Sequence, residues 1–154
     1  MGVEIIRGEP EASVILGDQG QLLTALRNLL TNAISYSAEN TRVSVTAREI
    51  DGIVEISVKD AGLGIPSHDL DRIFERFYRV DPARSRGTGG TGLGLAIVKH
   101  VCQNHGGEVT VWSEIGTGST FTLRIPSYDP MLDDSLASRE FTVDTLTVVK
   151  GKNS

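Results

Sequence analysis

Five glycines fall within eight residues, Gly87-Thr88-Gly89-Gly90-Thr91-Gly92-Leu93-Gly94, and an apolar helical pattern follows at Leu95, Ala96, Ile97, Val98 and Val101. Glycine lacks a Cβ and tolerates positive φ, so backbone N–H groups here can close on an anion. A helix N-terminus behind them adds its dipole. The chemistry this suits is phosphate cradling; a flexible loop before a helix start is the alternative that glycines alone leave open. Gly87, Gly89 and Gly92 satisfy G-x-G-x-x-G. A dinucleotide fold also needs a strand just before the glycines and an acidic residue about 20 positions beyond. Residues Arg79 to Arg86 are charged and do not read as a strand, and no G-x-x-x-x-G-K-[ST] occurs. The pattern therefore points to a nucleotide site of another kind.

Three other groups could act on such a ligand. Asn28 and Asn32 lie on a helical pattern from about Gln19 to Tyr36, with Ser35 and Tyr36 on the same face. That face adjoins a core stripe of Leu22, Leu26, Leu29, Leu30 and Ala33. Asparagine favours caps and turns over helix interiors. A pair at i and i+4 suits a metal ion or polar ligand, or simply an exposed polar face. Asp60 ends an alternating strand and runs into Ala61-Gly62-Leu63-Gly64-Ile65. A carboxylate there can accept from a base lying over the glycine backbone, or it can merely close a turn. Five arginines between Arg72 and Arg86 make up a third of the fifteen basic residues. In an acidic chain that density suits an anion-facing segment; a solvated loop is the plain alternative.

The elements that must position these groups are legible from periodicity. Val3 to Ile6 and Ser13 to Leu16 read as short strands, and Asp18 as the cap of the first helix. Arg42 to Ala47 and Val54 to Lys59 alternate around the hairpin signal Asp51-Gly52. Their single apolar face predicts an antiparallel sheet covered on one side. Pro66 to Phe74 reads as a short helix with Ser67 or Asp69 near its start, and Leu93 to about Asn104 as a longer one stopped by Gly106-Gly107. Val109 to Trp112 and Thr120 to Ile125 are strands joined by Gly116-Thr117-Gly118. After Pro126 the pattern stops: residues 127–154 read as a flexible tail, although Phe141 to Val149 has strand propensity and could pair with a sheet edge. His68, His100 and His105 are scattered, with no evident partners.

Composition narrows the rest. At 154 residues, 39% hydrophobic and 23% charged, the chain fits one soluble domain with a real core, and its net charge of −5 argues against a nucleic-acid surface. No apolar run approaches the roughly 18 residues of a membrane span, and no signal peptide is visible. The single cysteine, Cys102, excludes an internal disulfide, reads as a buried thiol and suits the cytoplasm. The start runs almost directly into a strand, as an excised domain would.

Taken in order, the motifs resemble those of sensor histidine kinases. Asn28-Leu-Leu-Thr-Asn32-Ala resembles the N box, Asp60-Ala-Gly62-Leu-Gly64-Ile the G1 box and Phe74-Glu-Arg-Phe77-Tyr-Arg79 the F box. Gly90-Thr-Gly92-Leu-Gly94-Leu resembles the G2 box, and Gly116-Thr-Gly118-Ser-Thr-Phe121 the last glycine–strand motif. The run from Ser85-Arg86 through Val101 is similar to phosphate-responsive actinobacterial sensor kinases. The resemblance implies an α/β fold of the GHKL (Bergerat) type: a two-layer sandwich whose mixed, largely antiparallel sheet carries three helices on one face. Residues 1–126 would be the catalytic ATP-binding domain, with a mobile ATP lid at about 75–91.

It also implies roles. Asp60 would accept from the adenine amino group, with a water shared by Ser119. Gly62 and Gly64 would admit the base, with Ile65 beside it, and Tyr36 would pack near adenine or ribose. Asn32 would hold Mg²⁺, the one metal position, with Asn28 next to it. Gly90, Thr91, Gly92, Leu93 and Gly94 would surround the phosphates, and Arg79, Arg84 or Arg86 would reach the γ-phosphate. The implied catalytic set is Asn28, Asn32, Arg84 and Arg86; the implied cofactors are ATP and Mg²⁺. The implied partners are a dimerisation and phosphoacceptor domain of the same kinase and a downstream response regulator. The domain itself would be cytoplasmic, within a membrane-anchored kinase. There are two departures. Position 35 is serine where many members carry lysine, and no histidine lies in the family's phosphoacceptor context. A GHKL module that hydrolyses ATP, of the chaperone, topoisomerase or mismatch-repair kind, is the alternative function.

Overall fold

A computed structural model describes residues 3–7, 13–37, 40–78, 93–128, 140–143 and 146–150. The first long element is helix α1, Gln19–Tyr36. Asp18 caps it, its side chain accepting from the Gln21 N–H at 3.1 Å. Leu22, Ala25, Leu29 and Ala33 are buried, and Leu26 and Leu30 pack against them. The expected stripe is present, widened by Ala25, whose small side chain lets the helix lie close to the sheet. Ser37 closes α1, its hydroxyl donating to the Ala33 carbonyl at 2.6 Å.

The main sheet contains β1 (Val3–Arg7), β3 (Thr41–Ile50), β4 (Ile53–Lys59), β5 (Glu108–Glu114) and β6 (Gly118–Pro126), in the order β1-β3-β4-β6-β5. β1 runs parallel to β3 and the other pairs are antiparallel. Asp51 and Gly52 both take positive φ, at 52° and 78°, as a two-residue hairpin between twisted strands requires. Val43, Val54, Ile56, Val58, Phe121, Leu123 and Ile125 face the helices and are buried. The opposite face carries a cross-strand chain of ion pairs. Arg124 bonds Glu108 at 3.0 Å and Glu55 at 3.1 Å, and Arg48 bonds Glu55 at 3.0 Å. Such pairs on an open face add register more than stability. The one-sided covering expected from the alternation is thus observed.

β2 (Ser13–Gly17) does not join that sheet. It pairs in parallel with β8 (Leu146–Lys150), which pairs antiparallel with β7 (Glu140–Val143). The strand propensity of Phe141 to Val149 is expressed here, against β2.

Helix α2 is Ser67–Leu70, shorter than the Pro66–Phe74 expected, and no side chain caps it. The Asp69 carbonyl accepts from both Arg72 and Ile73, and i→i+3 bonds from Glu75 to Arg72 and from Tyr78 to Glu75 turn the following residues out of the α-ladder. Helix α3, Gly94–Asn104, ends at Gly106, whose φ is 73°, while the Gly107 N–H bonds the Cys102 carbonyl at 2.8 Å. Cys102 is buried, and burial pushes its thiol up to about 11, so it remains an inert core group.

The end of α3 is tied to the start of α1 by His105. Its Nδ1–H donates to the Val101 carbonyl at 2.7 Å, and its Nε2 accepts from the Asp18 N–H at 3.0 Å. That geometry requires the neutral ring with its proton on Nδ1. A Cβ on Gly17 would overlap the imidazole. His105→Ala strands the Asp18 N–H just where α1 begins. It is expected to destabilise the domain by about 1–3 kcal/mol, read as a lower urea midpoint at unchanged m-value.

Candidate nucleotide site

The site is built at the sheet end where β4 and β6 meet the C-terminus of α1. Asp60 leaves β4 with its N–H bonded to the Ser119 carbonyl at 2.9 Å, one step beyond the strand ladder. Its side chain is 5% exposed. Oδ1 accepts from the Gly62 N–H at 2.9 Å and the Ser119 N–H at 3.3 Å. Among the described residues no donor reaches Oδ2. Burial raises the carboxyl above the usual carboxylate range, and the two backbone donors offset only part of that. The result is a desolvated carboxyl with one oxygen held by two backbone N–H groups and the other without a donor among the described residues.

The glycines around it are there for closeness. Gly62 bridges to Ser37 beyond the end of α1, and a Cβ on it would overlap the Tyr36 carbonyl oxygen. Gly64 has φ 79°, and its missing Cβ would strike the Glu114 carbonyl. Gly118, at φ 131°, lies against the Asp60 carbonyl. Three chain segments therefore meet within backbone contact, which puts Asp60, Gly62, Gly64, Ile65, Ser119 and the backbone of Tyr36 in one place. Ser113 joins them: its hydroxyl accepts from the Ile65 N–H at 2.7 Å and lies 2.9 Å from the Ser119 hydroxyl. It stands inside an ordinary alternating strand, so only the β5–β6 register reveals it.

Asn28 and Asn32 lie half-buried on the α1 face that leads to Tyr36. A methyl group placed on Gly94 would sit 3.5 Å from Asn28 Oδ1, so the first turn of α3 faces this asparagine. Leu93 precedes that turn and offers no side-chain cap. The start of α3, with its unpaired N–H groups and dipole, thus lies beside Asn28, an arrangement suited to an anion. Arg79, Arg84, Arg86, Gly90, Thr91 and Gly92 lie outside the described residues.

The F-box segment is anchored up to residue 78. Phe74 meets Phe121 edge to face at 6.1 Å between centroids. Tyr78 donates its hydroxyl to buried Asp69, whose other oxygen lies 3.2 Å from His68 Nε2. That bond to Asp69 is the main reason the Tyr78 phenol holds its proton above the ordinary range. The Arg72 guanidinium lies 4.6 Å over the Tyr78 ring. Phe77 takes φ 66° and stays exposed.

The donor set suits an adenine nucleotide: a carboxylate acceptor for an amino group, glycine backbone for a flat base, and helix-start amides with neutral side-chain amides for phosphate. It also suits Mg²⁺, which takes few protein ligands when phosphates complete its shell. Among the described residues no cluster of three or more His, Cys, Asp or Glu could cage a metal by itself. No helix there is long and apolar enough to cross a membrane.

Comparison with known proteins gives the family. Residues 17–129 match the family described as histidine kinase-, DNA gyrase B-, and HSP90-like ATPase. The sequence is 57% identical over 129 residues to the sensor-like histidine kinase SenX3 of Mycolicibacterium smegmatis, covering 83% of this chain and 34% of that protein. It is 44% identical over 135 residues to the sensor histidine kinase WalK of Bacillus subtilis, covering 86% of this chain and 22% of that one. The chain thus spans about a third or less of these curated relatives. The structure is similar to the mycobacterial sensor histidine kinase MprB, with a TM-score of 0.68, 34% identity and coverage of 81% and 82%. It also resembles the ATP-binding domain of PrrB from Mycobacterium tuberculosis, with a TM-score of 0.65, 26% identity and 82% coverage of each. With its fold and sequence in agreement, the chain belongs to the histidine kinase-, DNA gyrase B- and HSP90-like ATPase family, as a catalytic domain of the sensor histidine kinase type.

Proposed function

We propose that the domain binds ATP with Mg²⁺ and presents the γ-phosphoryl group to a histidine on a separate dimerisation and phosphoacceptor domain, from which it passes to a response regulator. The observation that carries this reading is the split use of Asp60, one oxygen held by two backbone donors and the other without a donor among the described residues, beside a cradle of glycines. Bound ATP would supply the phosphoryl group, and Mg²⁺ would neutralise part of its charge. Asp60 Oδ2 would accept from the adenine amino group while Gly62, Gly64 and Ile65 line the base. A water shared there would donate to Ser119. Tyr36 would flank adenine or ribose. Asn32 would hold the metal with Asn28 alongside, and Leu93 and Gly94 would bring the first turn of α3 to the phosphates. In this reading residues of about 75–91 form the lid, Arg79, Arg84 or Arg86 reaches the γ-phosphate, and Gly90, Thr91 and Gly92 surround the phosphates. The whole kinase would be membrane-anchored with this domain on the cytoplasmic side.

Titration with a fluorescent ATP analogue tests nucleotide binding directly, and hydrogen exchange tests the lid. Amides from Arg79 to Thr91 are expected to exchange more slowly once ATP and Mg²⁺ are added. Equal protection with and without nucleotide would remove this segment from the site.

A further inference from the structure

We propose that Ser113 is a positioning residue for the base pocket, holding the Gly62–Ile65 loop against the β5–β6 turn so that Asp60 meets a purine at the right place; this rests on the nucleotide reading above. Ser113 lies on β5 directly opposite Ser119 on β6. Its hydroxyl donates to the Gly118 carbonyl at 3.1 Å and accepts from the Ile65 N–H at 2.7 Å. It also accepts from the Ser119 hydroxyl at 2.9 Å, because its own hydrogen is used on Gly118. One donor and both acceptor positions of the hydroxyl are therefore occupied.

Each of these partners leads to Asp60 or to the loop that follows it. Ser119 bonds Asp60 through both its N–H and its carbonyl. Gly118 packs on the Asp60 carbonyl without room for a Cβ. Ile65 ends the loop that starts at Gly62, itself a donor to Asp60. Backbone contacts between loop and turn exist as well, from the Gly116 N–H to the Leu63 carbonyl at 2.9 Å. Ser113 supplies the side-chain link, and it acts on both walls at once. Losing its oxygen would strand the Ile65 N–H and the Gly118 carbonyl together and let the walls separate. No described bond connects Ser113 to Asn28, Asn32 or the start of α3. The effect should therefore fall on the base and spare the phosphates.

The test compares Ser113→Ala and Ser113→Thr with the unaltered chain, measuring Kd for ATP, inosine triphosphate and inorganic tripolyphosphate, all with Mg²⁺. Ser113→Ala is expected to weaken ATP about 10- to 100-fold, the range for displaced positioning groups. Tripolyphosphate affinity should stay unchanged and the ATP-to-inosine preference should narrow. Ser113→Thr, which retains the hydroxyl, should restore ATP binding. Unchanged ATP affinity, or equal losses for ATP and tripolyphosphate, would overturn the proposal. Should the alanine variant fail to fold, Ser113→Cys, with its weak donor and acceptor, carries the same comparison and the same criteria. An unaltered chain that binds no ATP would sink the nucleotide reading itself, and this proposal with it.

Discussion

Asp60→Asn is expected to cut ATP affinity by about 10- to 150-fold, the equivalent of a charged hydrogen bond worth about 1.5–3 kcal/mol, while making the empty domain more stable at neutral pH. Both effects follow from the same geometry. The Gly62 and Ser119 N–H groups need an acceptor at Oδ1. An asparagine must therefore keep its oxygen there and place its NH₂ where Oδ2 was. That NH₂ would confront the adenine amino group, donor against donor. Inosine triphosphate, with a carbonyl oxygen at that position, should lose far less. The stability gain comes from burial. The folded domain holds the Asp60 proton more tightly than the unfolded chain does, because burial disfavours the charge. Its contribution to stability is therefore fully present below the ordinary value of 3.8 and is lost as pH rises through the raised folded value. At pH 7 the ionised carboxylate is a cost that a neutral amide removes. Thermal melts of the empty domain at pH 7 should show a higher Tm for the variant. Undiminished ATP affinity would take Asp60 out of the base pocket, and a lower Tm would mean that the two backbone donors stabilise the carboxylate by more than its burial costs.

The second large effect separates phosphoryl donation from hydrolysis. Transfer to water needs a group that orients and deprotonates that water, and general-base catalysis contributes about 10²–10⁴-fold. By the family resemblance, the hydrolysing relatives carry a glutamate one helical turn before the Mg²⁺ asparagine. Here that position is Asn28, half-buried and facing the first turn of α3. An amide can help hold a metal's water shell, but it cannot take a proton near pH 7. The isolated chain is therefore expected to bind ATP and turn it over very slowly. Adding the separate phosphoacceptor helical domain should give acid-labile, base-stable phosphate on that partner. Robust hydrolysis by the chain alone, abolished by Asn28→Ala, would refute the donor reading and favour an ATP-driven switch.

Much of this protein follows from local sequence. The α1 stripe, the Asp18 cap, the Asp51-Gly52 hairpin and the Gly106 stop arise from interactions within a few residues, so periodicity and turn chemistry are enough to place them. The glycines at 62 and 64 were legible as room for a base to approach, and the one at 118 only as part of a turn, because glycine lacks a Cβ. What they approach was not: Tyr36, Glu114 and Asp60 arrive from distant segments. The same limit hid Ser113, since its role depends on β5 pairing with β6 in one register and on the Ile65 loop crossing it. His105 and His68 read as unpartnered because their partners, Asp18 and Asp69, are defined by helix packing and by buried side-chain geometry. The Pro66–Phe74 pattern was helical by propensity, yet it became one turn of helix and a chain of tighter turns through residue 78, where Asp69 receives the Tyr78 hydroxyl. β1 and β2 read alike as short strands, and only long-range pairing sent one to the main sheet and the other to β8. The sequence by itself determined which residues could do chemistry and which elements carry them. The tertiary structure decided which oxygen of Asp60 takes the two backbone donors and which hydroxyl holds its surroundings, because those depend on contacts between segments far apart in the chain.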